Sequence, residues 1–230
     1  AVFGLYPAQR TGADTVSVFD ETAQQVTHTF EHLRQQSDKV TGKPNLSLAD
    51  FISTSKDNTD YLGGFTVSIF GAEELANEYK AKGDDYSAIL VQSLADRFAE
   101  AFAEHLHERI RKEFWGYKAD ETLGNEELIK EKYVGIRPAP GYPACPEHSE
   151  KAVLFDWLGS EEKIGTKLTE HFAMMPPSSV SGFYYSHPES EYFNVGKISQ
   201  DQLEDYAKRK GWSLDEAKRW LAPNLDDSVA

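Results

Sequence analysis

The chain has 230 residues and a formal net charge of −14, from 38 acidic and 24 basic residues, and 40% of its residues are hydrophobic. This composition predicts a folded core, and the excess of negative charge argues against a sequence-independent nucleic-acid binder, which needs a cationic surface. No stretch approaches the roughly 18 apolar residues of a membrane-spanning helix, and a single cysteine suits a reducing compartment, so we expect a cytoplasmic protein that does not span a membrane.

The first 70 residues show the patterns of strands. Residues 2–6 are apolar and run into a proline, residues 15–19 alternate polar and apolar side chains, and residues 26–30 continue the alternation after a turn. We therefore expect the second and third of these segments to form a hairpin. Residues 61–70 are rich in aromatic and β-branched side chains and predict a fourth strand, in which Gly63-Gly64 indicates a bulge or the close approach of another group.

A long helix is the clearest predicted element. Asp84 or Asp85 is placed to cap it, and it extends to about Phe114. At 1.5 Å per residue, about 30 residues span about 45 Å, the length of a whole domain. Apolar side chains repeat every four residues and predict one buried stripe; they are Leu90, Leu94, Phe98, Phe102, Leu106 and Ile110, with Val91, Ala95 and Ala99 beside them.

The remaining elements are predicted from local signals. We expect a short helix over 125–132, a helix from Pro146 to about 158, and strands at 169–174, 180–186 and 192–198. Two closing helices follow capping-box patterns, Ser199 with Gln202 and Ser213 with Glu216. Strands and helices occur in runs and do not alternate one for one, which favours an α+β fold with an antiparallel sheet over a doubly wound fold.

Several kinds of catalytic site are excluded by spacing. No two glycines are separated by a single residue or by four residues, so there is no G-x-G-x-x-G dinucleotide loop and no P-loop, and no G-x-S-x-G nucleophile elbow occurs. His105 and His107 are two residues apart on the long helix and point about 200° apart, so they cannot chelate one metal. We predict no metal site. Cys145 is either a nucleophile with His148 as its base or a small buried thiol.

A row of carboxylates lies on the long helix. Glu100, Glu104 and Glu108 follow one another at four-residue spacing. Such a row is either a solvated helix face or, where a member is buried beside a cationic ligand, part of a binding site.

A proline-rich segment separates the two halves of the chain. Four of the nine residues 138–146 are prolines, so the segment cannot form regular structure. Proline also reduces the entropy lost on ordering, so the loop can present Arg137 and Tyr142 from a rigid frame. A guanidinium in such a frame suits recognition of a planar base and a carboxylate. The alternative is an ordinary rigid crossover between two helices.

The same segment carries a family resemblance. Residues 137–148, RPAPGYPACPEH, resemble the signature loop of the activation domain of cobalamin-dependent methionine synthases. The resemblance extends to residues 94–104, LADRFAEAFAE, to residues 181–188, SGFYYSHP, and to residues 220–225, WLAPNL. It implies an α+β fold with a curved antiparallel sheet, a long central helix and flanking helices. It also implies one domain over 1–230, truncated on its N-terminal side, because the family has a further segment that supplies an acidic contact to the ligand.

The resemblance implies a specific activity. Domains of this family bind S-adenosylmethionine and donate its methyl group, while flavodoxin or a related reductase donates an electron, so that cob(II)alamin returns to methylcobalamin during methionine biosynthesis. None of the seven histidines has Asp two residues before it, so the family's Asp-x-His-x-x-Gly cobalt-ligand motif is missing. Cobalamin must therefore be presented by the cobalamin-binding domain, and the isolated chain is expected to be an incomplete methyltransferase. The alternative is a non-catalytic module that binds S-adenosylmethionine or docks the cobalamin domain.

The resemblance also assigns ligand contacts within the loop. Arg137 would pair with the methionine carboxylate of S-adenosylmethionine. Backbone groups of Ala139 and Gly141 would approach the adenosyl part, and Tyr142 would hydrogen-bond the ligand.

Four further contacts come from other segments. Tyr192 and Phe193 would flank the ligand, and Glu100 and Glu131 would lie near its sulfonium, a fixed cation that carboxylates stabilise. No catalytic residue is assigned.

The net charge raises a question about the electron donor. Flavodoxins are acidic, so docking one would need a local basic patch. Residues 109–112 and residues 208–210 with 218–219 are the two candidates, and either could be ordinary surface charge.

Overall fold

A five-stranded antiparallel sheet organises the part of the chain that the computed structural model describes, residues 1–40, 42–55 and 59–226. The strands are β1 (Val2–Arg10), β2 (Thr15–Phe19), β3 (Val26–Glu31), β4 (Asp60–Ser68), β5 (Lys167–Leu168), β6 (Met174–Met175) and β7 (Ser179–Tyr184). The main sheet has the order β3-β2-β1-β4-β7, and β5 pairs with β6. The four strands predicted in the first 70 residues and the β2–β3 hairpin are confirmed.

Helices pack on and beside this sheet. They are α1 (Ala72–Ala81), α2 (Asp85–Arg109), α3 (Asn125–Ile129), α4 (Glu150–Leu158), α5 (Ser160–Ile164), α6 (Gln200–Lys210) and α7 (Leu214–Leu221). The long predicted helix is confirmed: the side chain of Asp84 accepts from the Ser87 backbone N–H at 3.0 Å, and a π-helical turn continues α2 to Phe114. The predicted α+β class is therefore confirmed, and the curvature of the sheet stays a prediction.

The prediction of which face of α2 is buried is confirmed for Ala95, Ala99, Leu106 and Ile110 and was wrong for most of the larger side chains. Leu90, Leu94 and Phe98 are 46%, 47% and 62% exposed. The buried face consists of small side chains in a parallel row, namely Ala88, Ala95, Ala99 and Ala103. These small side chains let the helix backbone come close to its neighbours α1, β4 and β7, whereas the larger side chains of the predicted stripe point to solvent until Leu106 and Ile110. Two apolar rows share the same period, so periodicity could not distinguish them.

The glycine pair in β4 marks a close approach. A Cβ on Gly64 would lie 2.5 Å from a ring carbon of Trp157, and a Cβ on Gly63 would lie 2.9 Å from side-chain atoms of Leu5 and Tyr184. The ladders that join β4 to β1 and β7 pass through both glycines without a shift in register. The glycines therefore make room for packing on both faces of the sheet, and the bulge interpretation was wrong.

Two predicted strands do not form. Residues 169–173 make a turn between β5 and β6, closed by a hydrogen bond from the Thr169 N–H to the Ala173 carbonyl at 2.8 Å. Residues 192–197 are irregular, because Val195 donates its N–H to the carbonyl of Pro143 in the proline-rich loop at 2.9 Å. Alternating apolar residues in that segment pack against a loop, not in a sheet.

Several helix boundaries also differ from prediction. Helices α1 and α5 were not predicted, α3 ends at Ile129, and α4 begins at Glu150. The Ser199 capping box is absent, because the Ser199 hydroxyl lies within hydrogen-bond distance of the side-chain oxygens of Gln36 and Asp201 and makes no bond to the helix backbone. At α7 the Ser213 side chain does accept from the Glu216 N–H at 3.2 Å. No helix in the described ranges is both long and apolar enough to cross a membrane.

A buried ion pair joins α4 to α6. Glu150 is fully buried, and its carboxylate accepts from the Lys210 ammonium at 2.5 Å. Removal from water disfavours the charged carboxylate and raises the pKa of Glu150 to about 7, against 4.5 in its ordinary state, although Lys210 opposes the shift. Glu150 therefore binds a proton more tightly in the folded chain than in the unfolded chain.

This difference predicts how stability changes with pH. As pH rises from about 4.5 to about 7, the free energy of unfolding should lose a contribution of up to roughly 3 kcal/mol from Glu150. Glu150→Gln removes the titration, so its curve should lack that fall when urea unfolding is measured between pH 4.5 and 8. Glu162→Gln, at an exposed glutamate of α5, should follow the parent. Parallel curves for Glu150→Gln and the parent would contradict the prediction.

Candidate functional site

A cavity of about 560 Å³ opens between α2, the proline-rich loop and the irregular segment after β7. Its volume lies within the roughly 300–1,000 Å³ of typical small-molecule sites. The lining residues are Phe65, Glu100, Glu104, Leu128, Ile129, Glu131, Tyr133, Arg137, Pro138, Ala139, Tyr142, Pro143, Ala144, Val180, Tyr192, Phe193 and Asn194.

Backbone pairing fixes the start of the proline-rich loop beside the sheet. Ile136 and Tyr185 exchange hydrogen bonds at 2.9 and 3.0 Å, and Phe183 donates its N–H to the Pro138 carbonyl at 2.8 Å. This approach requires glycine at position 182, because a Cβ there would lie 2.6 Å from the Pro138 oxygen. The loop therefore continues the sheet at the edge of β7 before it turns over the cavity.

Tight turns hold the tip of the loop. Tyr142 donates its N–H to the Ala139 carbonyl at 3.1 Å, and Gly141 donates to the Cys145 carbonyl at 2.8 Å. Gly141 has φ of +97°, and a Cβ there would lie 2.4 Å from the His148 ring. The backbone of the loop is thus fixed by its own hydrogen bonds, as expected of a rigid frame.

Arg137 is held by its side chain and by its backbone. Its guanidinium Nη2 lies 3.0 Å from Oε2 of Glu104 on α2. Its backbone N–H donates to the Tyr192 hydroxyl at 2.9 Å, and that hydroxyl lies 3.1 Å from the hydroxyl of Tyr133. The start of the loop is therefore tied to α2 and to the segment after β7.

Only part of the carboxylate row on α2 reaches the cavity. Glu100 and Glu104 line it, whereas Glu108 pairs with Lys112 at 3.3 Å on the helix surface. A four-residue step advances 40° beyond a full turn of an α-helix, so the third member of the row has rotated away. Glu131 joins the first two from beyond α3, with φ of +53°.

The structure brings together the residues that the sequence assigned to ligand binding. Seven of them line the cavity, namely Glu100, Glu131, Arg137, Ala139, Tyr142, Tyr192 and Phe193. Gly141 lines an adjoining cavity of about 110 Å³, which shares Glu100, Tyr142 and Val180 with the first.

The sequence of this chain matches a known protein family. The family model described as "Vitamin B12 dependent methionine synthase, activation domain" matches residues 1–211. The chain belongs to this activation-domain family. The resemblance found in the sequence is thereby confirmed over most of the chain.

A solved structure agrees with the family assignment. It is a crystal structure of the MetH reactivation domain bound to AdoHcy, and its sequence is 54% identical to this activation domain. The two superpose with a TM-score of 0.93, over 97% of this chain and 69% of the other. The fold expected from the resemblance is therefore confirmed, apart from the curvature.

Cys145 of the activation domain is a buried thiol. It is 5% exposed, and burial raises its pKa well above the ordinary value, so the reactive thiolate is disfavoured. The neighbouring His148 interacts through Nδ1 with the Lys151 ammonium at 3.0 Å. These observations favour the buried-thiol interpretation over a nucleophile. Within the described residues, no three His, Cys, Asp or Glu side chains are grouped to hold a metal.

Sequence reasoning missed four polar or aromatic contributors to the cavity wall. Glu104 was named only as a member of the carboxylate row, and Tyr133, Asn194 and Phe65 were not named as site residues. Glu104 had a usable signal, since it lies one turn after Glu100. Tyr133 had none, because its hydroxyl contacts Tyr192 across 59 residues of sequence.

Removing the hydroxyl of Tyr192 or of Tyr142 should change stability by different amounts. Tyr192→Phe removes the hydroxyl that accepts from the Arg137 N–H, so the free energy of unfolding should fall by about 1 kcal/mol. Tyr142 is 60% exposed, so Tyr142→Phe should change stability by less than about 0.5 kcal/mol. Urea unfolding of both variants measures the difference. Equal stabilities would show that the Tyr192 hydroxyl does not hold the loop.

Proposed function

We propose that this chain binds S-adenosylmethionine and supplies its methyl group for the reductive methylation of cob(II)alamin to methylcobalamin. The observation that carries the proposal is the cavity, which collects a guanidinium, three carboxylates and aromatic side chains around one volume. The 54% identical reactivation domain binds AdoHcy, the molecule left when S-adenosylmethionine loses its methyl group. This function is part of the methyltransferase reaction of methionine synthase in methionine biosynthesis.

The ligand's charges match those of the cavity. Arg137 would receive the methionine carboxylate in a charge-assisted hydrogen bond. Glu100 and Glu131 would lie near the sulfonium, which their negative charge stabilises by Coulomb attraction. Methyl transfer neutralises the sulfonium and so removes that attraction. The carboxylates must therefore not stabilise the charged ground state so strongly that they raise the barrier to transfer.

The uncharged part of the ligand would contact the loop and the segment after β7. We assign the adenosyl group to the backbone of Ala139 and Gly141, with a hydrogen bond from Tyr142. The side chains of Tyr192 and Phe193 would flank the ligand. The rigid loop makes these contacts available before the ligand arrives, which limits the entropy lost on binding.

Placement is the main contribution of this chain to the reaction. The conversion consumes one electron and one methyl group, and the sulfur retains the electron pair of the broken carbon–sulfur bond. No proton moves in that step, so no side chain need act as an acid or base. The chain would orient the methyl carbon toward cobalamin carried by the cobalamin-binding domain. Alone it would be an incomplete catalyst.

The electron donor would be flavodoxin or a related reductase. In the first basic cluster, Arg111 is buried against Glu121 at 2.7 Å, and Arg109 pairs with Glu113 at 2.8 Å. In the second cluster Lys208 and Arg219 are the exposed members, since Arg209 pairs with Glu31 and Lys210 with the buried Glu150. The second cluster is therefore the better candidate for docking an acidic protein.

We place the reaction in the cytoplasm, with which a free thiol is compatible.

The Arg137 assignment is tested by binding. Arg137→Ala should weaken S-adenosylhomocysteine binding at least about tenfold in calorimetric titration, because a hydrogen bond between charged groups is lost. Arg97→Ala is the matched control, since it removes an exposed cation of α2 that does not line the cavity. Parent-like affinity for Arg137→Ala would show that the carboxylate binds elsewhere.

Methyl transfer tests the reaction itself. The chain is mixed with a cobalamin-binding domain, a chemical reductant and S-adenosylmethionine that carries a labelled methyl group. Label should appear on cobalt, and more slowly with Arg137→Ala. Intact ligand binding without transfer would favour the alternative, a non-catalytic module that binds S-adenosylmethionine or docks the cobalamin domain.

A further inference from the structure

Glu104 and Arg137 form a partly buried ion pair in the cavity wall. The Arg137 side chain is 15% exposed and the Glu104 side chain 32% exposed, and one oxygen and one nitrogen meet at 3.0 Å. The other oxygen of Glu104 and the Nη1 of Arg137 are buried and lack a hydrogen-bond partner. Both side chains also line the cavity. The ion pair therefore lies between the cavity and the protein interior.

Among the described residues, Glu104 is the one carboxylate that pairs with Arg137. Three residues after Glu104 on α2, His107 is fully buried and stacked on Tyr184, with ring centroids 5.2 Å apart. Burial and the guanidinium groups of Arg111 and Arg137 lower the pKa of His107 well below its ordinary value, so the ring is neutral. Arg111 has a carboxylate of its own in Glu121. The other two carboxylates of the cavity are Glu100 and Glu131, and in the part of the chain that the structure describes neither forms an ion pair with Arg137.

We propose that Glu104 is a positioning residue that orients the Arg137 guanidinium toward the carboxylate of the ligand. This inference rests on the proposed function, in which Arg137 receives that carboxylate. A free arginine side chain has many rotamers, and the ion pair selects one before the ligand arrives, so less entropy is lost on binding.

Charge alone would have the opposite effect. The negative charge of Glu104 repels a ligand carboxylate. If Glu104 did not position Arg137, this repulsion would weaken ligand binding, and removing Glu104 would strengthen ligand binding. Positioning predicts that removal weakens binding. The sign of the change therefore separates the two interpretations.

Calorimetric titrations with two ligands test the proposal. S-adenosylhomocysteine carries the amino-acid carboxylate, and 5′-methylthioadenosine shares its adenosyl and sulfur groups but lacks that carboxylate. Glu104→Ala should bind S-adenosylhomocysteine about five- to tenfold more weakly and should bind 5′-methylthioadenosine as the parent does. Glu104→Gln retains an oxygen that can accept from Arg137, so it should recover most of the loss.

Three comparison variants complete the design. Glu108→Ala removes a carboxylate one turn along α2, outside the cavity, and should bind both ligands normally. Arg137→Ala should lose affinity only for S-adenosylhomocysteine. The double variant of positions 104 and 137 should bind no more weakly than Arg137→Ala, because Glu104 acts through Arg137.

Three results would overturn the proposal. The first is tighter binding of S-adenosylhomocysteine by Glu104→Ala, and the second is an equal loss for both ligands, which would indicate a general structural role. The third is unchanged binding by Glu104→Ala. If Arg137→Ala also binds normally, the carboxylate assignment in the proposed function fails as well; if it binds weakly, only the role of Glu104 fails.

Discussion

Contact with the end of β7 positions both walls of the cavity. The proline-rich loop pairs its backbone with residues 183–185, and α2 packs Ala103, Leu106 and Ile110 against β4 and β7. Since the loop and the helix share the same strand as support, side chains that are 33 residues apart meet as an ion pair between Arg137 and Glu104. Glycine at 182 makes this possible, because a side chain there would push the loop off the sheet. The precision of the site therefore comes from backbone contacts outside it.

Negative charge is distributed unevenly over the molecule. Many basic side chains are already engaged, since Arg34, Arg111, Arg209 and Lys210 each hold a carboxylate within the protein. In the cavity the balance differs, because Glu100, Glu104 and Glu131 face a single guanidinium. The net charge of −14 thus has a local counterpart where a cationic ligand is expected. Glu100 and Glu131 remain exposed to water. Their charges therefore lose little hydration free energy, and the cavity can hold them without basic partners.

The sequence predicted the fold better than it predicted the packing. Local alternation, caps and glycines identified β1 to β4 and α2, because those signals arise within a few residues. The buried face of α2 and the irregular segment at 192–197 depend on neighbours that are distant in sequence, so local patterns misled. The residues of the candidate site came from the family resemblance. The loop alone had indicated only Arg137 and Tyr142, and the role of Glu104 depends on how far α2 rotates along its carboxylate row.

Two opposing interactions act between copies of this chain, one from the exposed apolar row of α2 and one from the net charge. Leu90, Leu94 and Phe98 form an uncovered hydrophobic strip, which favours contact between copies, while the large like charge on each copy keeps them apart. Dissolved salt screens charge over about 10 Å at 0.1 M but leaves apolar contact intact or strengthens it. Raising ionic strength should therefore promote self-association of this chain, the reverse of its effect on assemblies held together by opposite charges.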